Sequence, residues 1–578
     1  MPEVALVMSA GYAYPLRELA ETLQYELEQQ AVPSTLHIGA FPEPRPSLVH
    51  ILLDPEAYVA NEGQEALPDD RLLRRTIFLC AEPLPAVEDD HRATLLRRAG
   101  AVFSLDQPSV MAMHRVGIRA RLLKPGYSKF LDRFDPAAPR LIDVMFLGTH
   151  SLRLTKYLSR AAPVLARHNC LLQIAEGTPS PRGTASFLAD ARWPLLARTK
   201  VVISLHREDE SRLDWRGSLD AIHAGAVVVA EHCSGLGLLV PGEHLLVASA
   251  DALPYVVEDL LEDEERLSRL RSRAYERLKS WIPYALSVAV LRAAIVELVG
   301  EPVVSGSALG ASRSSPSVAD VALSDAMHDG PRTAARRLRA GRVALARENP
   351  AWRSRRAPLV TSVVAGSGRS EQIIPTLDSL ARSRLRDFEL VVVVGTVDGD
   401  EARGTVENWM SDHPRIPAQL VLAELNGVGA ARNVGLDFAR GTFLLILAPG
   451  QELYPRCLEV LAGTLDAMPE MAFVYPIQEV TGAPEEFVEA GGDYLESFFG
   501  WNPARLRARN DIHAPALMRT DRLRRVGGFA ADPSLAGFED YDLWCRMTEQ
   551  GWRGQLVPQT LARRPESAAS AMLGVPQP

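Results

Sequence analysis

Arg207 and Arg216 flank a polar loop in the segment SLHREDESRLDWRGSLDAIHAGAVVVAEHC, and the second lies where a helix must begin, near Trp215–Gly217. A doubly charged phosphate group needs guanidinium or free backbone N–H donors, and a helix start offers both the donors and a favourable dipole. Gly225, Gly235, Gly237 and Gly242 follow, each permitting close approach of a backbone to a ligand, and Glu243 adds a carboxylate beside the last of them. Taken singly, these glycines are turns and Glu243 is a surface acid. Together they describe an anion-binding crevice. His223 within the helix reads as a packed histidine, and Glu231 and His232 end a strand that either faces the crevice or turns from it. Further along, Arg432-Asn433 open one helical stretch and Glu539-Asp540 open another, DYDLWCRMTEQ. Acids at a helix start are favoured by its dipole whether or not they do chemistry.

Such groups need a frame. VALVMSA (4–10), LVHILLD (48–54), TIFLCAE (76–82), AVFSLD (101–106) and ARLLKPG (120–126) alternate with helical stretches. After a proline-broken segment, 131–142, come DVMFLGT (143–149), CLLQIAE (170–176), KVVISLH (200–206), AVVVAEH (226–232) and HLLVAS (244–249). A third series begins at Pro358 with LVTSVVA (359–365), FELVVVV (388–394), QLVLAEL (419–425) and TFLLILA (442–448). Short apolar runs bounded by turn residues suit parallel strands buried on both faces, and strand–helix alternation implies doubly wound α/β sheets. The expected architecture is α/β: two tandem Rossmann-like lobes, 1–135 and 136–300, then a separate α/β domain, 358–565. A Ser/Gly-rich linker, 301–357, with a short helix from Pro331 to Glu348, joins them and permits relative motion. Residues 566–578 form a frayed tail.

The segment from Ser204 to the loop around Gly242 resembles the C-terminal lobe of GT-B-fold glycosyltransferases of the spore-maturation-protein type. The resemblance implies that Arg207, Arg216, Gly242 and Glu243 hold a nucleotide-sugar donor, with Glu243 against the ribose. It implies chemistry that needs no metal cofactor.

The third series is similar to inverting family 2 glycosyltransferases, of GT-A fold. LVTSVVAGSGRSEQIIPTLDSLARSRLRDFELVVV, LNGVGAARNVGLDFARGTFLLIL and GGFAADPSLAGFEDYDLWCRMTEQGW carry the likeness in order. It implies donor-binding roles for Arg432 and Asn433. It also implies that Asp540, beside Glu539, takes the proton of an attacking hydroxyl. The family holds a divalent metal on an Asp-x-Asp motif after the strand TFLLIL. Here that position reads Ala448-Pro449-Gly450-Gln451, so the metal has no carboxylate, and Glu452 is the next acid. An upstream Asp-Asp-Gly-Ser-type turn is replaced by Val394-Gly395-Thr396-Val397, with Asp398 and Asp400 shifted beyond it. Three readings follow: a silent binding module, Arg or Lys in place of the metal, or a site rebuilt from Asp398, Asp400 and Glu452. His513 is a candidate acceptor-site residue.

The balance of 63 basic and 72 acidic residues, net charge −9, gives no support to a nucleic-acid partner. The five cysteines are dispersed with no CxxC pair, which excludes a zinc framework and fits a reducing compartment. The apolar stretch Tyr284–Gly300 contains Arg292 and Glu297 and reads as a packed helix, so no transmembrane segment is expected. The N-terminus reads as a strand. The expected location is cytoplasmic, free or peripheral to the inner face of the membrane. The expected activity is sugar transfer from a nucleotide-diphosphate sugar to a glycan, lipid-linked, protein or small-molecule acceptor. Chemistry is assigned to the GT-B-like half. The alternatives are chemistry in a metal-poor GT-A-like half, or a non-catalytic glycan-binding scaffold.

Overall fold

The computed structural model describes residues 2–11, 14–81, 90–175, 191–206, 213–233, 236–300, 342–355, 357–365, 370–396, 399–425, 427–483, 492–508, 510–531 and 539–565. Arg207, Gly235 and Asp398 lie outside them. The chain divides into two compact units. The first comprises Met1–Asp132, Ser180–Thr184 and Lys279–Arg336, and the second Arg133–Pro179, Ala185–Leu278 and Arg337–Pro578.

The first unit holds a parallel sheet of six strands: β1 (Glu3–Met8), β2 (Ser34–Ile38), β3 (Leu48–Leu53), β4 (Thr76–Cys80), β5 (Ala101–Ser104) and β6 (Ala120–Leu122). Their spatial order is β2-β1-β3-β4-β5-β6. β3 and β4 are buried along their whole length, as central parallel strands covered on both faces must be. The helix Tyr284–Gly300 packs Val288, Leu291 and Ile295 into the same core as Leu6, Ile51 and Leu79. The chain therefore returns to its first unit for this helix, which the sequence reading placed with the second lobe.

The second unit contains two sheets. One is parallel: β7 (Ile142–Thr149), β8 (Cys170–Ala175), β9 (Thr199–Ser204), β10 (Val227–Glu231) and β11 (Leu246–Ala248), in the order β11-β10-β9-β7-β8. The other is a mixed ten-stranded sheet. Its strands are β12 (Arg342–Glu348), β13 (Val360–Ala365), β14 (Phe388–Gly395), β15 (Ala418–Glu424), β16 (Phe443–Leu447), β17 (Glu452–Leu453), β18 (Met471–Ala483), β19 (Gly492–Glu496), β20 (Leu517–Arg519) and β21 (Arg553–Pro565). The order is β12-β15-β14-β13-β16-β20-β18-β21-β17, with β19 paired to β18. The architecture is α/β throughout, as expected.

Two features differ from the sequence reading. Arg342–Glu348, expected in a helix, is the edge strand β12, antiparallel to β15. The unpaired edge of β15 supplies backbone partners that outweigh the helical preference of Arg, Leu and Ala in this stretch. The segment after it is pinned by Trp352, whose ring lies 3.9 Å beneath the Arg440 guanidinium. Arg440 in turn pairs with the fully buried Glu389. Residues 342–354 are therefore part of the sheet module and not linker.

The second difference is that the mixed sheet does not stand apart. The helix Leu152–Leu165 packs on β19, and β8 packs on β21. One apolar cluster includes Leu158, Ala161 and Leu172 on one side and Phe473, Tyr475 and Leu495 on the other. Polar contacts cross the junction: Ser159 donates to Glu479, Arg456 to the His168 carbonyl, and Gln559 to Asn169. Burial pushes the Glu479 carboxyl above its usual range, a shift only partly offset by the Tyr454 hydroxyl that donates to it at 2.7 Å.

Among the described residues no helix is long and apolar enough to cross a membrane.

Because this junction is a packed core, residues 342–578 expressed alone expose apolar surface normally covered by the helix Leu152–Leu165 and β8. We expect the fragment to bind an apolar-surface dye and to melt roughly 5 °C or more below the full chain. Equal melting temperatures in calorimetry would show that the junction contributes no stability.

Candidate functional site

In the parallel sheet of the second unit, the loops that could hold a ligand leave the C-terminal ends of adjacent strands β9 and β10. The helix Trp215–His223 follows β9. Its N-cap is Asp214, whose carboxylate accepts the Gly217 N–H at 3.1 Å. A Cβ on Gly217 would come within 2.4 Å of that carboxylate, so a larger residue here would displace the Asp214 cap. Ser218, one residue on, is 1% exposed, and its hydroxyl oxygen has no hydrogen-bond partner among the described residues. Asp214, Gly217 and Ser218 line a small cavity of about 50 Å³. Phe146 and Leu147 of β7, Ser204 of β9 and the adjoining Leu205 are among the residues that share its wall. A buried hydroxyl without a partner at the start of a helix is an unspent donor beside a positive dipole end.

Arg216 is exposed in the first turn of this helix. His223 is fully buried, and its Nδ1 bonds the Leu219 carbonyl at 2.8 Å, which makes it a packing residue. The helix is clamped from behind by Asp220, which accepts from Arg192 at 3.0 Å within the interior.

Gly242 adopts φ +81, a left-handed conformation suited to glycine, in the loop between β10 and β11. Both it and Glu243 are exposed. Sequence reasoning overlooked what holds this loop. The buried His244 accepts the Val240 N–H on Nδ1 at 2.9 Å, and Arg277 donates to the Leu238 carbonyl at 2.8 Å. Burial, with the nearby Arg277, lowers the His244 pKa below the ordinary 6.5.

Glu231 ends β10. It accepts from the Arg153 guanidinium and, at 3.3 Å, from the His206 N–H. Burial alone would raise its pKa, but these donors outweigh burial and hold it below the usual range. Arg153 also donates to the His206 carbonyl at 2.9 Å, tying together the ends of β7, β9 and β10.

The mixed sheet gathers the other predicted residues. Arg432 and Asp540, 108 positions apart, form an ion pair at 2.8 Å, and the guanidinium lies 5.2 Å from the Phe529 ring centre. The Asn433 side chain donates to the Phe529 carbonyl and accepts its N–H, both at 2.8 Å. Gly528, at φ +76, must lack a side chain, since a Cβ would sit 2.4 Å from the Asn433 oxygen. Arg546 donates to the carbonyls of Val526 and Gly528 and pairs with Asp542. Glu539 is buried, while the Asp540 side chain is 44% exposed. The residues that carry the family 2 resemblance are thus bonded to one another. They do not meet Arg216, Gly242 or Glu243, which belong to the other sheet.

The turn at the metal position is closed on itself. The Ala448 N–H donates to the Gln451 side chain at 2.8 Å. Gly450, at φ +92, donates to the Gln372 carbonyl and the Thr376 hydroxyl. Gln451 reaches Gln478, which bonds Glu496, which is paired with Arg564 at 3.1 Å. Glu452 pairs with Arg563 at 2.9 Å and lies 3.6 Å from Arg382, so it is not a spare metal ligand. Among the described residues no group of three or more His, Cys, Asp or Glu is placed to hold a metal. His513 uses its backbone N–H to bond Ser497. Burial would raise the Glu496 carboxyl, but Arg564 holds it below the usual range.

No family model matches the chain. It is similar to an uncharacterized protein of Sinorhizobium fredii, 24% identical over 202 residues. An uncharacterized glycosyltransferase of Methanocaldococcus jannaschii is 22% identical over 214 residues, 36% of this chain and 70% of that one. The O-antigen biosynthesis protein RfbC of Myxococcus xanthus is 27% identical over 237 residues. The chain spans 21% of the length of the first and 18% of the third. Among solved structures, Anabaena HepE in complex with UDP-glucose aligns along its full length with 51% of this chain, at 13% identity and a TM-score of 0.38. A mannosyltransferase of Pyrobaculum calidifontis, in complex with GDP-Man and Mn2+, covers 36% of this chain at a TM-score of 0.29. The resemblance to glycosyltransferases read from the sequence is thus met by one relative that bears that name and by another named for O-antigen biosynthesis.

Two outcomes follow from the geometry. Gly528→Ala is expected to lose about 1–3 kcal/mol in urea unfolding, because its φ and the Asn433 contact both oppose a side chain. For His244, the folded pKa lies below the unfolded value near 6.5. The unfolded chain therefore binds more protons, and the contribution of this residue is full above that pH and falls on acidification. The Val240 amide should lose hydrogen-exchange protection as pH drops from 7.5 to 5.5, and His244→Gln should flatten that dependence.

Proposed function

We propose that this chain is a glycosyltransferase. In this reading it takes its nucleotide-diphosphate sugar at the β9–β10 end of the parallel sheet in the second unit, and the mixed-sheet module is accessory. The observation that carries the reading is the buried Ser218 hydroxyl, without a partner among the described residues, in a small cavity at a helix start. The relatives named as glycosyltransferase and O-antigen biosynthesis protein support the reaction class.

The chemistry follows from the groups present. An acceptor hydroxyl attacks the anomeric carbon while the bond from that carbon to the diphosphate oxygen breaks. Negative charge builds on the leaving diphosphate. The first N–H groups of the helix Trp215–His223, the Ser218 hydroxyl and Arg216 would meet that charge, and Arg207 is proposed as a further cation. The Gly242–Glu243 turn would hold the nucleoside, with the Glu243 carboxylate against the ribose hydroxyls. Such stabilisation grows with the charge and so favours the transition state over the bound donor.

In the mixed-sheet module the described motif groups are engaged with one another. Its Asp540 is engaged by Arg432, and its metal turn is closed by Gln451. We assign it a binding or assembly role, with Glu539-Asp540 capping a helix and Arg432-Asn433 holding the turn at Phe529.

Titration of UDP, GDP and TDP into the full chain, with and without manganese, tests this. One nucleotide should bind without metal. Arg216→Ala or Ser218→Ala should weaken it by about tenfold. Asp540→Ala should leave both binding and donor turnover intact, and turnover should persist in a chelator. Loss of turnover in Asp540→Ala, together with chelator sensitivity, would move the chemistry to the mixed-sheet module.

A further inference from the structure

Among the described residues three arginines are buried, and two of them have an acid. Arg192 pairs with Asp220 and Arg432 with Asp540. The third, Arg271 on the helix Glu264–Trp281, is 8% exposed. Among the described residues it forms no ion pair and no hydrogen bond, and its Nε is buried without a partner.

A second arginine lies near it. Arg140 donates to the Thr199 carbonyl at 2.9 Å, where β9 begins, and to the Ala224 carbonyl at 3.0 Å, shortly before β10. This is the end of the parallel sheet away from the loops that follow β9 and β10. The Nε of Arg140 is likewise buried without a partner among the described residues. Gly225, at φ +77, makes room for this group, since a Cβ there would come within 2.5 Å of Arg140 and 2.6 Å of Phe134. Phe134 stacks flat on Tyr275, one turn beyond Arg271 on the same helix, with ring centres 4.0 Å apart. That stack fastens the segment carrying Arg140 to the helix carrying Arg271.

Burial, with Arg271 nearby, pushes the Arg140 pKa down to about 10, and burial also lowers that of Arg271. The acids that act on them from a distance, Asp135 and Glu264, are exposed, and among the described residues neither forms an ion pair with these arginines. A buried charge is held at a cost unless an opposite charge or an acceptor meets it. Backbone carbonyls meet part of Arg140 and nothing described meets Arg271. Two guanidinium groups in this state suit a partner with two negative charges and several acceptor oxygens. A phosphate group carries about −1.5 to −2 charge at neutral pH, and its three acceptor oxygens match the guanidinium fork.

We infer that Arg271 and Arg140 form a phosphate-binding site at the end of the parallel sheet opposite the proposed donor crevice. The site goes beyond the donor reading and does not depend on it. The helix Trp215–His223 spans the two places: Asp214 and Ser218 stand at its start, and the Ala224 carbonyl held by Arg140 follows its end. Free phosphate and a phosphomonoester present the same group to these arginines.

The test is calorimetric melting of the full chain in phosphate-free buffer, then with inorganic phosphate, with phenyl phosphate, and with sodium chloride at matched ionic strength. Inorganic phosphate at about ten times its dissociation constant should raise the melting temperature by about 2 °C beyond the chloride control. A rise with phenyl phosphate as well assigns the site to phosphomonoesters, and a rise with inorganic phosphate alone assigns it to the free ion. Arg271→Met should abolish the rise. In phosphate-free buffer this variant should melt no lower than the unaltered chain, because a charge without a partner has been removed. Arg216→Ala, at the donor end, should keep the rise. No rise beyond chloride in the unaltered chain would overturn the inference. So would a rise that persists in Arg271→Met or disappears in Arg216→Ala, since the phosphate would then bind elsewhere. A lower melting temperature of Arg271→Met without phosphate would overturn it too, because Arg271 would then be satisfied in the empty fold.

Discussion

A polar group removed from water must find a partner inside the protein or wait for one from outside, because leaving it bare costs about 1–3 kcal/mol. The second unit is organised around this constraint. In the mixed sheet the motif groups have found partners. Glu389 is satisfied by Arg440 and Thr361, Glu496 by Arg564 and Gln478, Asp540 by Arg432, and the Asn433 amide by both backbone groups of Phe529. At the helix start beside β9, Ser218 has a buried hydroxyl with no partner among the described residues, as do Ser362 and Thr560 in the mixed sheet. Ser218 is set apart by its place at a helix start, next to the cap Asp214.

The strands legible in the sequence are those that physics makes plainest. β7, β9, β10, β13, β14 and β16 are buried and joined by parallel pairing, and their continuous Val, Ile and Leu runs follow from burial on both faces. β18 and β21 escaped notice for the complementary reason. They bury Gln478 and Glu479, carry Arg563 and Arg564, and slip register three times along their pairing. Neither apolar alternation nor a continuous run marks such strands, because their polar residues are paid for by partners distant in sequence. β12 was read as helix because propensity is local, whereas its pairing edge on β15 is not.

The candidate site was legible as residue types but not as roles. Arg432, Asn433 and Asp540 were identified by resemblance. What they do depends on Phe529 and on each other, over separations of 96 and 108 residues that no local pattern encodes. Ser218 and His244 gave no signal either. A serine directly after a glycine, and a histidine after a Gly-Glu pair, carry no mark of a role until burial is known. Only the DxD-position replacement, Ala448-Pro449-Gly450-Gln451, spoke directly. An absent carboxylate is visible in sequence, and here the structure adds why the turn survives without one: the Gln451 amide bonds the Ala448 N–H.

The helix Leu152–Leu165 explains why a module without an open site of its own can still matter to another. Its first turn carries Arg153, which fixes Glu231 and the end of β9. Further along, Leu158 and Ala161 lie in one core with Leu495 of β19, and Ser159 meets Glu479 of β18. Side chains in such a core are close-packed, so the helix cannot shift against the hairpin without opening voids that each cost free energy. The hairpin therefore sets the position of the helix, and the helix sets the position of Arg153 at the strand ends. The placement of polar groups at the ends of one sheet in this way depends on a neighbouring sheet, which gives the mixed-sheet module a physical role apart from any chemistry of its own.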